Sequence, residues 1–263
     1  MGQYHVTAQN FSEVSENRMH SDEVAQRFGF KGALVPGVAI YGHLTLPFVD
    51  QLGVEWLSSS HDAVRLIKPA YHDDALTLDL SSLQGADDGA TQLVQCHNAE
   101  GTLLAELRSQ AARPLTDAAT ATNALANSTK TQGRPEITWE TVTPLEPFNR
   151  WQYTVSAEEN ARYASEIADT LPVYQEYAHP HHMLSLANQV LMREYEMPAW
   201  IHVGSETLRH AAVRVGDVLD IQAVPTEKWE RKGHQFIRLW IGYWRADVLV
   251  TEMQHTAIFK VAE

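Results

Sequence analysis

Asn17, His20 and Asp22 stand close together in NRMHSDEVA, and Gly37 then opens an apolar run, GVAIYGHLTLPFVDQL. An imidazole titrates near working pH, so His20 in a loop beside a cleft can act as a general base. The plain alternative is a histidine that only orders its loop. Asp22 precedes EVAQRF and reads either as the partner acid or as a helix N-cap whose carboxylate takes an unpaired N–H of the first turn. The acid could instead be Glu13 or Glu16, or be absent, with Ser15 holding a water. Gly37 would sit in the first turn of a helix, where its N–H is unsatisfied, at the positive end of the dipole, and no side chain keeps a carbonyl oxygen away. Read plainly, it is a tight-turn glycine. The chemistry on offer is proton transfer next to a site for a developing oxyanion.

Such residues need rigid elements to hold them, and the chain supplies them twice. Gly37 opens the first apolar run, and 37 residues later Asp74 begins the alternating segment DALTLDL. Pro180 opens PHHMLSLANQVLMREY, and 37 residues later Asp217 begins DVLDIQAV, an offset of 143 at both landmarks. AELRSQA and TEMQHTA close the halves alike, which marks a duplication. Each half reads as a helix apolar on most sides, expected over about 37–52 and 180–195, followed by strands. The strand segments are HDAVRLIKPAY, DALTLDLSSL, TQLVQCHNAEG and LLAELRSQAA, then SETLRHAAV, DVLDIQAVPT, HQFIRLWIGYWR and VLVTEMQHTAIFKV. A buried helix ahead of antiparallel strands implies a sheet curled around it, an α+β arrangement. The stretch from about 113 to 143 is Ala/Thr/Asn-rich and aperiodic in its middle, and reads as a surface linker with nothing to pack against, between repeats 1–112 and 144–263.

The chain has 263 residues, with 20 Lys+Arg against 33 Asp+Glu, and the formal charge of −13 disfavours a nucleic-acid backbone as partner. The single Cys96 excludes a disulfide framework and a thiolate metal cluster, and no apolar segment is long enough to span a membrane. A cytoplasmic protein is expected. The His179-Pro180-His181-His182 run lacks metal-ligand spacing, so no metal is expected there. Trp200 to Glu206 could line a cleft between the halves, with His202 facing it. Arg65, Lys68, Arg209 and Lys228 read as surface charges that could also meet phosphates.

The constellation Asn17, His20, Asp22, then Phe28-Gly29-Phe30 and Leu34-Val35-Pro36-Gly37, resembles the hydratase motif of the MaoC-like dehydratases, the (R)-specific enoyl-CoA hydratase group of the hotdog superfamily. In that family an Asp stands five residues before the His; here the position is Ser15. Asp169 to Tyr174 looks like a worn second copy, with Tyr174 in the histidine's place. The resemblance implies a double hotdog whose substrate is an acyl-CoA or acyl-carrier thioester and which needs no further cofactor, with homodimer assembly left open. It implies catalytic roles for His20, Asp22 and Gly37, and substrate contacts for Asn17, Ser15 and Tyr174; His202 is a further candidate contact from its own stretch, which otherwise reads as a packed aromatic with a satisfied histidine. The activity implied is hydration of a 2-enoyl thioester or dehydration of a 3-hydroxyacyl one. The alternatives are a thioesterase and a binding protein without catalysis. Because Pro180 has no N–H, only the first half is expected to hold a thioester oxygen.

Overall fold

The computed structural model describes residues 2–13, 15–83, 91–126 and 133–262. The first half contains β1 (Gly2–Thr7), α1 (Asp22–Arg27), α2 (Gly37–Leu52), α3 (Val54–Ser59), β2 (His61–Leu66), β3 (Ala75–Leu83), β4 (Thr91–Asn98) and β5 (Leu103–Gln110). After α4 (Ala118–Leu125) the second half contains β6 (Trp151–Thr154), α5 (Ala157–Glu166), α6 (Pro180–Glu194), β7 (Ile201–Arg209), β8 (Val218–Arg231), β9 (His234–Arg245) and β10 (Val248–Lys260). All ten strands join one antiparallel sheet in the order β1-β3-β4-β5-β2-β7-β10-β9-β8-β6, which is the same five-strand pattern read outward from the centre on each side.

The duplication is visible in the hydrogen bonds. At the central seam β2 pairs with β7, and Ala63 lies opposite Glu206. These two residues are 143 apart in the chain, so repeat-equivalent positions face each other, as they must on a two-fold axis. Val35 N–H donates to the Ala70 carbonyl at 2.9 Å, and Ala178 N–H donates to the Val213 carbonyl at 2.9 Å. The Asp74 carboxylate accepts the Tyr71 N–H at 2.8 Å just as Asp217 accepts that of Arg214 at 2.8 Å. An Asp closing a turn ahead of a strand explains why this landmark survives in both copies.

The two long helices are expected because their apolar residues cover most of the circumference, and a helix of that kind must be buried on most sides. They lie against one another inside the curved sheet. Gly42 permits the close approach, since a Cβ there would stand 2.7 Å from Ile167 Cδ1 and 2.8 Å from His181 Cβ. Strands β1 and β6 were not apparent in the sequence: both are short and lie at the sheet's edges, where pairing on one side demands little patterning.

The segment between the repeats corrects one expectation. It lies over the outer face of the sheet, but part of it is the helix α4, and Leu115 and Ala121 are buried there against Leu208, Val224 and Trp240. Outward-facing aromatics of the second half give an alanine-rich helix something to pack on. Residues 127–132 lie outside the described residues.

Where the helices meet, the interior holds His43, His179, His181 and His182, all buried. Burial pushes His43 down to about 4 and His182 to about 3, and holds His181 well below the usual imidazole range. In the unfolded chain these rings titrate near pH 6.5. Their contribution to stability is therefore complete above about pH 6.5 and is lost as the pH falls toward 4, where the unfolded chain binds protons that the folded one refuses. The unfolding free energy is expected to fall over that window by on the order of 1.4 kcal/mol per pH unit for each such histidine, and the melting temperature with it. A melting temperature that stays flat from pH 7 to 4 would contradict this.

Candidate active site

A cavity of about 230 Å³ lies at the seam between the halves, and Asn17, His20, Gly37, Lys68, Asn188, Trp200 and His202 line it together with mainly apolar neighbours. Three sequence segments far apart in the chain converge here: the loop ahead of α2, the end of β2, and the start of β7.

Asn17 ties two of them together. Its Nδ2 donates to the Trp200 carbonyl at 3.0 Å and its Oδ1 accepts the Trp200 N–H at 3.3 Å, so a buried amide fastens the first half's loop to the second half's strand. The same Oδ1 accepts the Met19 N–H and caps the 3-10 turn Arg18–His20. This places His20 three residues on, where its Nδ1 lies 2.7 Å from the Leu34 carbonyl. A carbonyl only accepts, so in neutral His20 the proton is on Nδ1 and Nε2 carries the lone pair. The neighbour of Nε2 is Asn17 Nδ2 at 3.4 Å, a weak contact. Burial lowers the His20 pKa, which keeps it the neutral base at pH 7.

Gly37 begins α2, and no side chain caps that helix. The Ala39 and Ile40 N–H groups reach back to the Pro36 carbonyl, leaving those of Gly37 and Val38 as the open donors. A Cβ at position 37 would stand 2.3 Å from Leu66 Cδ1 and 3.2 Å from His202 Nδ1, so a larger residue would have to displace the Leu66 side chain and crowd His202. The start of α6 is closed instead: Pro180 has no N–H to offer, and His179 Nδ1 caps the helix by accepting the His181 N–H at 2.9 Å.

The remaining candidates lie elsewhere. Asp22 is exposed, forms the first residue of α1 rather than its cap, and accepts the Ala33 N–H at 2.7 Å, outside the cavity lining. The N-cap position belongs to Ser21. Ser15 Oγ donates to the Asn17 carbonyl at 3.0 Å and stiffens the loop, but it too is outside the lining. Glu16 pairs with Arg134 and Glu13 is exposed, so among the described residues the cavity lining contains no carboxylate. Tyr174 is buried in the second half with its ring 4.1 Å from that of His179. Sequence reading missed the pair made there by Asp169 and His179, at 3.2 Å, because the histidine follows the acid by ten residues instead of five. Both residues of that pair are buried, and neither is in the lining of the cavity at the seam.

The repeat-equivalent position of the cavity is filled. Ala178, Pro180, Met183, Arg209 and Val213 stand 143 residues after Val35, Gly37, Ile40, Leu66 and Ala70, and they surround a space of only about 20 Å³. Arg209 replaces the leucine. It is no surface charge, as its sequence position suggested, but is buried and paired with Asp62, and it donates to Ser60 Oγ at 2.8 Å and Tyr41 Oη at 2.6 Å. Lys228 also turns inward, donating to the Val142 carbonyl at 2.8 Å, and Arg65 pairs with Glu106 at 3.0 Å. Lys68 alone of these four lines the cavity.

An antiparallel sheet built from two copies of one unit, each wrapped around its own long helix, is the double-hotdog fold, and this chain has it. It superposes on a MaoC-like dehydratase with a TM-score of 0.61 at 10% identity, covering 97% of each chain. A Mycobacterium tuberculosis protein described as a double hotdog matches at 0.61 and 12% identity over 98% of this chain and 95% of its own. A Lactobacillus plantarum protein assigned as an oleoyl thioesterase matches at 0.60 and 12% identity over 99% and 96%. At such identities the shared property is the fold. No family model matches the chain, and no curated protein matches it in sequence. Among the described residues no helix is long and apolar enough to cross a membrane.

Proposed function

We propose that the chain is an acyl-thioester lyase that hydrates a 2-enoyl thioester or dehydrates a 3-hydroxyacyl one. The observation that carries this reading is that a base whose lone pair, on His20 Nε2, meets only a weak contact from Asn17, and an uncapped helix start, Gly37, line the same largely apolar cavity. In the hydration direction His20 Nε2 takes a proton from water and the oxygen attacks the β-carbon. The electron pair moves through the α-carbon to the thioester oxygen, where the Gly37 N–H stabilises the enolate. The imidazolium then returns its proton to the α-carbon, so one residue serves as base and acid. Lys68 supplies a cation for the phosphates of a CoA-type carrier.

One feature favours a second reading, thioester hydrolysis. Hydrolysis needs only a base for water and an oxyanion donor, and the lining offers no second acid. Incubation with crotonyl-CoA and with a saturated acyl-CoA separates the two: loss of the enoyl absorbance is expected with the first. Release of free thiol from the second would replace the lyase by a thioesterase, and no reaction with either would leave a binding protein.

A further inference from the structure

The strand β7 carries a β-bulge that decides which way one side chain faces. Ser205 lies opposite His255 and Gly204 opposite Thr256, but the next pair is His202 with Ala257, so Val203 is the extra residue. With regular alternation from Ser205, Val203 would face inward and His202 outward. The bulge turns His202 inward instead, into the wall beside Gly37.

His202 is only 7% exposed. Its Nε2 lies 2.9 Å from Ser205 Oγ, which lies 2.9 Å from His255 Nδ1, and the two rings stack with centroids 4.4 Å apart. The far ends of this chain, His202 Nδ1 and His255 Nε2, are buried without partners. A serine hydroxyl has one proton, so the chain has two neutral arrangements. In one, Ser205 donates to His202 and the free N–H is His202 Nδ1–H. In the other, Ser205 donates to His255 and the free N–H is His255 Nε2–H. Each arrangement leaves one buried N–H without an acceptor, but only His202 Nδ1 stands beside Gly37, 3.2 Å from where a Cβ there would be, so an oxygen held at the start of α2 would be the acceptor that favours the first arrangement.

We propose that His202 Nδ1–H is a second donor to the thioester oxygen beside the Gly37 N–H, and that Ser205 and His255 are positioning residues that hold it in the donating tautomer. The proposal rests on the acyl-thioester reading above, and it serves lyase and thioesterase alike, because both develop negative charge on that oxygen. No proton leaves the ring: it acts as a neutral hydrogen-bond donor, and burial, which pushes its pKa down to about 4, keeps it neutral. The relay is confined to one copy, since the repeat-equivalent positions of Ser205 and His255 are Asp62 and Ser109, and these bond to Tyr41 with Arg209 and to Trp56.

The test uses the full chain and whichever of crotonyl-CoA or saturated acyl-CoA it turns over. His202→Leu is expected to lower kcat by about 100-fold with KM little changed, the scale of losing one oxyanion donor. His202→Asn, whose amide can put an N–H near the Nδ1 position, is expected to recover about tenfold of that loss. Nitrogen-15 spectra of histidine-labelled protein are expected to show His202 protonated at Nδ1, and Ser205→Ala to lose that signature and part of kcat while leaving the pH profile set by His20 in place. An active wild type with a folded His202→Leu within about threefold of it, or a spectrum with bare Nδ1, overturns the donor role alone. If His202→Leu does not fold, the Asn variant and the spectrum decide. A wild type inactive on both thioesters removes the functional reading first, and the donor with it.

Discussion

His20→Gln is expected to reduce turnover by about 100-fold or more, the scale of removing a general base. Glutamine can keep a donor to the Leu34 carbonyl but has no group that takes up a proton near pH 7. The loop should stay in place, because Asn17, not His20, holds it to Trp200 through two hydrogen bonds. Stability is therefore expected to fall by no more than about 1 kcal/mol, the worth of one hydrogen bond. The contrast lies in the second half. Tyr174 is not in the lining of the cavity that His20 and Gly37 share, so Tyr174→Phe is expected to leave activity intact. Steady-state kinetics and melting temperatures on the two variants check this. An active His20→Gln with an inactive Tyr174→Phe would move the site to the second half.

That asymmetry is partly legible in the sequence. Gly37 against Pro180 is a difference in a single residue type at one helix position, and what each can donate follows from covalent structure alone. The Asn17 to His20 spacing is equally local, since one turn of 3-10 helix carries the histidine from the capping residue. What stayed hidden depends on contacts between residues far apart in the chain. The polar-aromatic stretch around His202 puts it at the cleft, but the β-bulge that turns it inward is not legible, since alternation read from Ser205 sends it outward. Asp22 looks like a cap or an acid by its neighbours, yet the N–H it serves belongs to Ala33, across a loop whose path no periodicity gives. The alanine-rich segment reads as unpacked until Trp240 and Leu208 are found on the outer face of the sheet.

The least legible feature is also the one that closes the second site. Arg209 ends a strand, where a cation is ordinarily solvated, and its partner Asp62 is 147 residues away. Together with Tyr41 they form a buried network in which Tyr41 Oη donates to Asp62 Oδ1 at 3.1 Å, Arg209 donates to Tyr41, and the guanidinium lies 4.3 Å from the Trp56 ring centre. Arg209→Met is expected to destabilise the protein by about 3–5 kcal/mol, because it leaves the Asp62 carboxylate buried without its counter-charge. Changing both residues, Arg209→Met with Asp62→Leu, is expected to restore most of that loss, since the expense of burying two charges disappears with them. Denaturant unfolding of the two single variants and the double variant measures the coupling, and additive effects would show that the pair does not act as a unit. The double variant also separates room from chemistry. Removing Arg209 enlarges the space equivalent to the first half's cavity, but the start of α6 remains capped by His179 and lacks an N–H at Pro180. Activity in the double variant is therefore expected to stay at the level set by His20 and Gly37, with no gain from a second site.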